Sequence, residues 1–231
     1  MSRLSKLLLL VALTGPNVSN LATDQSNPDK VIMLDLHDII LDFSVQQALT
    51  GFWRIPKKIK FLKSVKKYFK AKKSGDHSAI EKFTLHNSPS QEHSTAVLQA
   101  INPHQPNPDM IKLIQRLKNN GIKVYICSNI GERSYQELIK RYPDLFNLID
   151  GCICSRSQDG YPKKDKPQFW AQVPELIPAA ITKIPFVDNK QKNLDIAQVM
   201  CPRIQGILFK DAKQLEAELV KCELLPVPVS I

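Results

Sequence analysis

The polar and apolar positions change rhythm at residue 31. Before it, Arg3 and Lys6 precede seven apolar residues, Leu7 to Leu13, and a polar stretch from Thr14 to Lys30 holds Gly15, Pro16 and Pro28. A positive start, a short apolar run and a breaker resemble a secretory signal, which favours an exported protein over a cytoplasmic one. From Val31 onward, short apolar runs alternate with helical patterns. Val31-Ile32-Met33-Leu34 is continuous, as expected of a strand buried on both faces. Asn107-Pro108-Asp109 opens a helix carrying Met110, Ile111, Ile114 and Leu117 on one side, and Gly121 closes it. Lys123 to Cys127 reads as the second strand, followed by a helix around Tyr135, Leu138 and Ile139. Leu148 to Cys154 reads as the third strand and Ile184 to Val187 as the fourth, with Pro185 near its start. A helical stretch over 190–200 leads to Gly206–Phe209, the fifth strand. Asp211 then caps a last helix through Leu215 and Leu219.

Alternation of this kind predicts an α/β protein, a Rossmann-like three-layer parallel sheet with helices on both faces. Residues 40–105 break it with helical patches, charge and a His/Ser/Asn/Pro-rich stretch over 86–108. They read as an inserted α-helical cap. The expected organisation is a leader and linker over 1–30, a core over 31–39 and 106–231, and the cap over 40–105.

Composition narrows the chemistry. The chain has 231 residues with 8 glycines, and no dinucleotide fingerprint, P-loop or serine-hydrolase elbow occurs. HExxH and CxxC are absent too, so a zinc protease or zinc ribbon has no support. The five cysteines have no regular spacing and do not form a disulfide framework. His77, His86, His93 and His104 lack ligand spacing and read as polar loop positions.

The formal charge of +10 belongs to one segment. Residues 54–73 hold Arg54, nine lysines and no acid, and outside them acidic and basic residues balance. Ile59, Phe61, Leu62, Val65, Tyr68 and Phe69 recur every three or four residues, so the segment is an amphipathic helix. Solvated lysines over a packed face are one reading. The other is a surface facing anions, through Lys63, Lys66, Lys67 and Lys70, with an anionic membrane as the expected partner. Nucleic acid is the weaker option, because the aromatic residues sit at packing positions rather than in a stacking row. Oligomeric state is not legible.

Ligands of such sheets bind beyond the carboxyl ends of the strands. Asp35, His37 and Asp38 follow the first strand, Ser128 and Asn129 the second, Lys166 the third, and Asp188 and Asn189 the fourth. Singly, each reads as a helix cap or a solvated group. Together, two carboxylates can hold a hard cation, a carboxylate can attack phosphorus, and a hydroxyl and an ammonium can receive phosphoryl oxygens.

These residues resemble the haloacid dehalogenase-like (HAD) hydrolases, in the branch with a helical cap after the first strand. Val31 to His37 resembles the first motif, Val124 to Asn129 the second, Lys166-Pro167 the lysine motif, and Phe186 to Asn189, with Asn193 and Ala197, the last. The resemblance implies a Mg2+-dependent phosphatase or phosphotransferase for a small phosphorylated or anionic substrate, working through an aspartyl phosphate on Asp35. Ser128, Asn129 and Lys166 would bind the phosphate. The metal would take Asp35, the His37 backbone carbonyl, Asp188, and Asn189 through water. Two positions depart from the pattern. His37 stands where the family has its acid/base Asp, and Asn189 where it has a second acid. Imidazole titrates near neutrality and could move the proton. The departures equally suit a catalytically weak or inactive scaffold that binds anionic lipid or nucleic acid through the lysine helix. A carbon–halogen substrate is a further, weaker alternative.

Overall fold

The structure is a computed structural model that describes residues 30–55, 58–73, 96–97, 99–100, 102–156 and 158–227. The expected leader, and His77, His86 and His93, lie outside the described residues.

In chain order the elements are β1 (Val31–Leu34), β2 (Leu41–Phe43), α1 (Val45–Arg54), α2 (Lys58–Lys73), β3 (His104–Pro106), α3 (Pro108–Asn119), β4 (Lys123–Gly131), α4 (Glu132–Arg141) and α5 (Pro143–Phe146). There follow β5 (Gly151–Ser155), α6 (Pro167–Trp170), α7 (Val173–Leu176), β6 (Ile184–Asp188), α8 (Gln191–Met200), β7 (Ile204–Leu208) and α9 (Ala212–Lys221). Five strands form one parallel sheet in the order β5-β4-β1-β6-β7. The order reverses at β1, which therefore lies in the middle, and ligands of such sheets bind beyond the carboxyl ends of the strands at this reversal.

Side-chain alternation splits the core into two layers. Ile32 and Leu34 of β1, Val124 and Ile126 of β4, and Val187 of β6 pack with α3, α4 and α9. Their neighbours Val31, Met33, Tyr125, Cys127 and Phe186 point the other way, onto Phe169, Trp170, Leu194 and Ala197. The central strand β1 is apolar at every position because it feeds both layers. The caps are as the sequence predicts. Asn107 Oδ1 accepts from the N–H groups of Asp109 and Met110, and Asp211 accepts from Gln214. Gly121 takes φ +72° just past α3, a conformation that favours glycine.

Strand limits shift by a few residues. β4 runs on to Gly131, β5 starts at Gly151 rather than Leu148, and β7 covers Ile204–Leu208. Leu148 to Asp150 instead link α5 to β5. A further difference lies in the segment read as an inserted α-helical cap. β2 and β3 pair antiparallel, Leu41 opposite Pro106 and Phe43 opposite His104, so a two-stranded ribbon brings the two ends of the inserted stretch together. Three residues per strand are too few for a period-2 signal. Between these strands, Ile55, Phe61, Ala96 and Val97 form their own small cluster.

Candidate active site

Leu34 of β1 lies opposite Val187 of β6, so the next residues, Asp35 and Asp188, leave the sheet at one level and one edge. Both carboxylates converge on a single ammonium. Lys164 Nζ is 2.9 Å from Asp35 Oδ1 and 2.7 Å from Asp188 Oδ2. The lysine side chain is 2% exposed and also lies 5.0 Å from the Phe186 ring centroid. Burial works against its charge, but Asp35 and Asp188 outweigh burial and hold its pKa above the ordinary lysine value. A buried cation between two carboxylates is compensated, whereas any one of the three alone would be costly.

The loop that delivers Lys164 is held at three points. Asn129 Oδ1 accepts from the Lys164 backbone N–H at 2.7 Å, and Trp170 Nε1 donates to the Lys164 carbonyl at 2.6 Å. Ser155 Oγ donates to the carbonyl of Pro162 at 2.8 Å. Asp188 is held as firmly, since its Oδ1 accepts from the Lys190 N–H and both its oxygens from Asn193 Nδ2, each at 2.9 Å.

Lys166, which the Lys-Pro pair singled out, is not at this junction. It caps α6 just before Pro167, its side chain is 59% exposed, and its nearest acid is Asp165 at 3.8 Å. Pro167 sets the start of the helix, and the cap residue in front of it faces solvent, while Lys164 lies inside the turn that approaches the sheet. Nothing in the local pattern ranks the three lysines. The one usable signal was Trp170, an indole that needs an acceptor when buried.

Ser128 is buried on β4, two residues beyond Ile126, the partner of Leu34. Asn129 follows it, and its amide oxygen is taken by the Lys164 loop, which makes it a positioning residue for the lysine. His37 faces the ribbon. Its Nε2 is 3.2 Å from Asn102 Oδ1, and its ring meets that of His104 edge-on with centroids 4.5 Å apart. His104, read from the sequence as a loop residue, is therefore beside His37. Tyr142 Oη donates to its carbonyl at 2.6 Å, and the Phe43 ring packs on its other side. Burial, then the neighbouring His37, lower the His104 pKa to about 4.

The residues present suit a hard cation. Among the described residues no group of three or more His, Cys, Asp or Glu could hold a metal; a cation at this junction would have two carboxylates and otherwise amide and carbonyl oxygens. Asn189 Oδ1, adjoining Asp188, is buried and without a hydrogen-bond partner. An all-oxygen set with two carboxylates fits magnesium better than a softer metal. Asn189 Nδ2 meanwhile reaches Asp38 Oδ2 at 3.4 Å.

Comparison with known proteins bears on the family and the fold. The family model for haloacid dehalogenase-like hydrolase matches residues 30–179. A sesquiterpene phosphatase of Aspergillus oryzae is 28% identical over 112 residues, 48% of this chain. The aligned part spans 56% of the length of that relative. Among solved structures, the HAD-hydrolase YfnB of Bacillus subtilis bound to magnesium aligns with a TM-score of 0.56 at 15% identity, over 84% of this chain and 100% of that one. A HAD family enzyme of Bacteroides thetaiotaomicron, in complex with magnesium and inorganic phosphate, aligns at 0.56 and 17%, over 79% and 94%. At these identities the structures bear on the fold alone.

Proposed function

This chain belongs to the haloacid dehalogenase-like hydrolases, and on that premise we propose that it hydrolyses phosphate monoesters with Asp35 as nucleophile. The observation that carries this reading is the convergence of Asp35 and Asp188 on Lys164. An Asp35 oxygen attacks phosphorus, the bond to the ester oxygen breaks, and the phosphoryl group passes to the carboxylate. Water then attacks that phosphorus, releasing inorganic phosphate and restoring Asp35. Lys164 pairs with Asp35 and sets a fixed positive charge where phosphoryl oxygens arrive. Ser128 supplies a hydroxyl to the same oxygens. His37 passes a proton to the leaving oxygen and takes one from the attacking water.

Magnesium, held by Asp35, Asp188, the His37 carbonyl and the Asn189 side, would neutralise charge between the nucleophile and the phosphoryl group. The likeness to a sesquiterpene phosphatase, and the Phe43 ring packed on His104, support an apolar alcohol portion in the substrate.

The test is turnover of an aryl phosphate and of alkyl phosphates of increasing chain length, with and without magnesium. Magnesium-dependent hydrolysis that disappears in Asp35→Asn and improves with chain length is expected. No turnover across a broad phosphate panel with magnesium present would overturn the reading.

A further inference from the structure

We propose that the outer face of α1 and α2 docks this protein on an anionic phospholipid surface. α1 packs inward through Gly51, Phe52 and Ile55. Its opposite face carries Val45, Leu49 and Trp53, spaced by four residues and all exposed, with Trp53 at 69%. Three large apolar groups in register on one helix face are more than isolated surface residues, since such patches mark interaction sites. The strip does not end with α1. Lys58 Nζ lies over the Trp53 indole, 5.4 Å from its centroid. From there α2 continues with exposed Leu62, Lys66 and Lys70 at the same spacing. One apolar band thus passes into a basic one at the Trp53–Lys58 contact.

Charge decides the occupant. From Phe43 to Gly75 the chain has no Asp or Glu, while Lys63, Lys66, Lys67 and Lys70 are all exposed on α2. An acidic, headgroup-covered surface with an apolar interior complements both bands. An indole beside an ammonium suits the boundary, with the ring among acyl chains and the charge among phosphates. A polyanion such as RNA would use the lysines and leave Val45, Leu49 and Trp53 in water. The inference does not rest on catalysis, because none of these side chains belongs to the Asp35–Asp188–Lys164 junction.

The full chain is mixed with phosphatidylcholine vesicles, with and without phosphatidylserine, and sedimented. Binding at least about tenfold tighter to the anionic vesicles is expected, weakening as salt rises. The protein has two tryptophans, and Trp170 is buried, so a blue shift on binding reports Trp53. Replacing Lys63, Lys66, Lys67 and Lys70 with Gln is expected to lower affinity by more than about 100-fold. Leu49→Ser with Trp53→Ser is expected to weaken it by about tenfold and to abolish the salt-resistant part. All six positions are exposed, so thermal unfolding stays unchanged. Asp35→Asn is expected to bind like wild type, which separates this inference from the catalytic one. The proposal is overturned by equal affinity for neutral vesicles, by an unmoved emission, or by apolar variants that bind like wild type. Tighter binding to polyuridylate RNA than to anionic vesicles would also overturn it.

Discussion

His37 Nε2 and Asn102 Oδ1 meet at 3.2 Å, although they stand 65 residues apart in the chain. With a proton on Nε2, this contact is a hydrogen bond to the amide oxygen. Asn102 precedes β3, so the loop behind Asp35 is tied to the strand on which the chain returns from the inserted helices. Asn102→Ala is expected to lower kcat by about tenfold with KM unchanged, as for loss of an orienting group rather than a binding one. Asn102→Asp retains an acceptor and should recover most of the loss. Steady-state kinetics on an aryl phosphate read both.

The two lysines of the Lys164–Lys166 loop separate cleanly. Lys164→Met leaves Asp35 and Asp188 facing each other without their cation, and is expected to cost about 3–5 kcal/mol of stability along with activity. Lys166→Met removes a solvated side chain and should stay within about 0.5 kcal/mol. Urea unfolding of the two variants measures the contrast.

His104 makes stability depend on acid. Its folded-state pKa of about 4 lies below the ordinary histidine value, so between these pH values the unfolded chain binds the extra proton. Stability from this group is therefore full above the ordinary value, falls as pH drops toward 4, and levels off below. Discounted for partial exposure, the loss amounts to about 1–2 kcal/mol. His104→Phe should be flatter than wild type in urea midpoints measured from pH 7 to pH 4.5.

Gly51 is where α1 meets the helical residues 96, 97, 99 and 100. A Cβ there would stand 2.5 Å from the Ala100 nitrogen and 2.9 Å from the Ala96 oxygen, both backbone atoms. Gly51→Ala must push the two segments apart, at about 1–3 kcal/mol. Limited proteolysis should show faster cutting within 40–105, with the parallel sheet resistant.

The apolar runs at 31–34, 124–127 and 184–187 were legible because a central parallel strand is buried on both faces. Asn107, Gly121 and Asp211 were legible because caps act on their own backbone. Asp35 and Asp188 followed from the same logic, as the first polar residues past buried strands. The ribbon of β2 and β3 was not legible, since its pairing partners lie far apart and each strand is too short for a period. The lysine was not legible either. Lys163, Lys164 and Lys166 are equivalent as letters, and only the packing of Trp170 and Asn129 on one turn decides which ammonium enters the sheet's edge. Nor could local sequence place Asn102 and His104 beside His37. Chain position determines what a residue offers, and long-range closure of the fold determines what it meets.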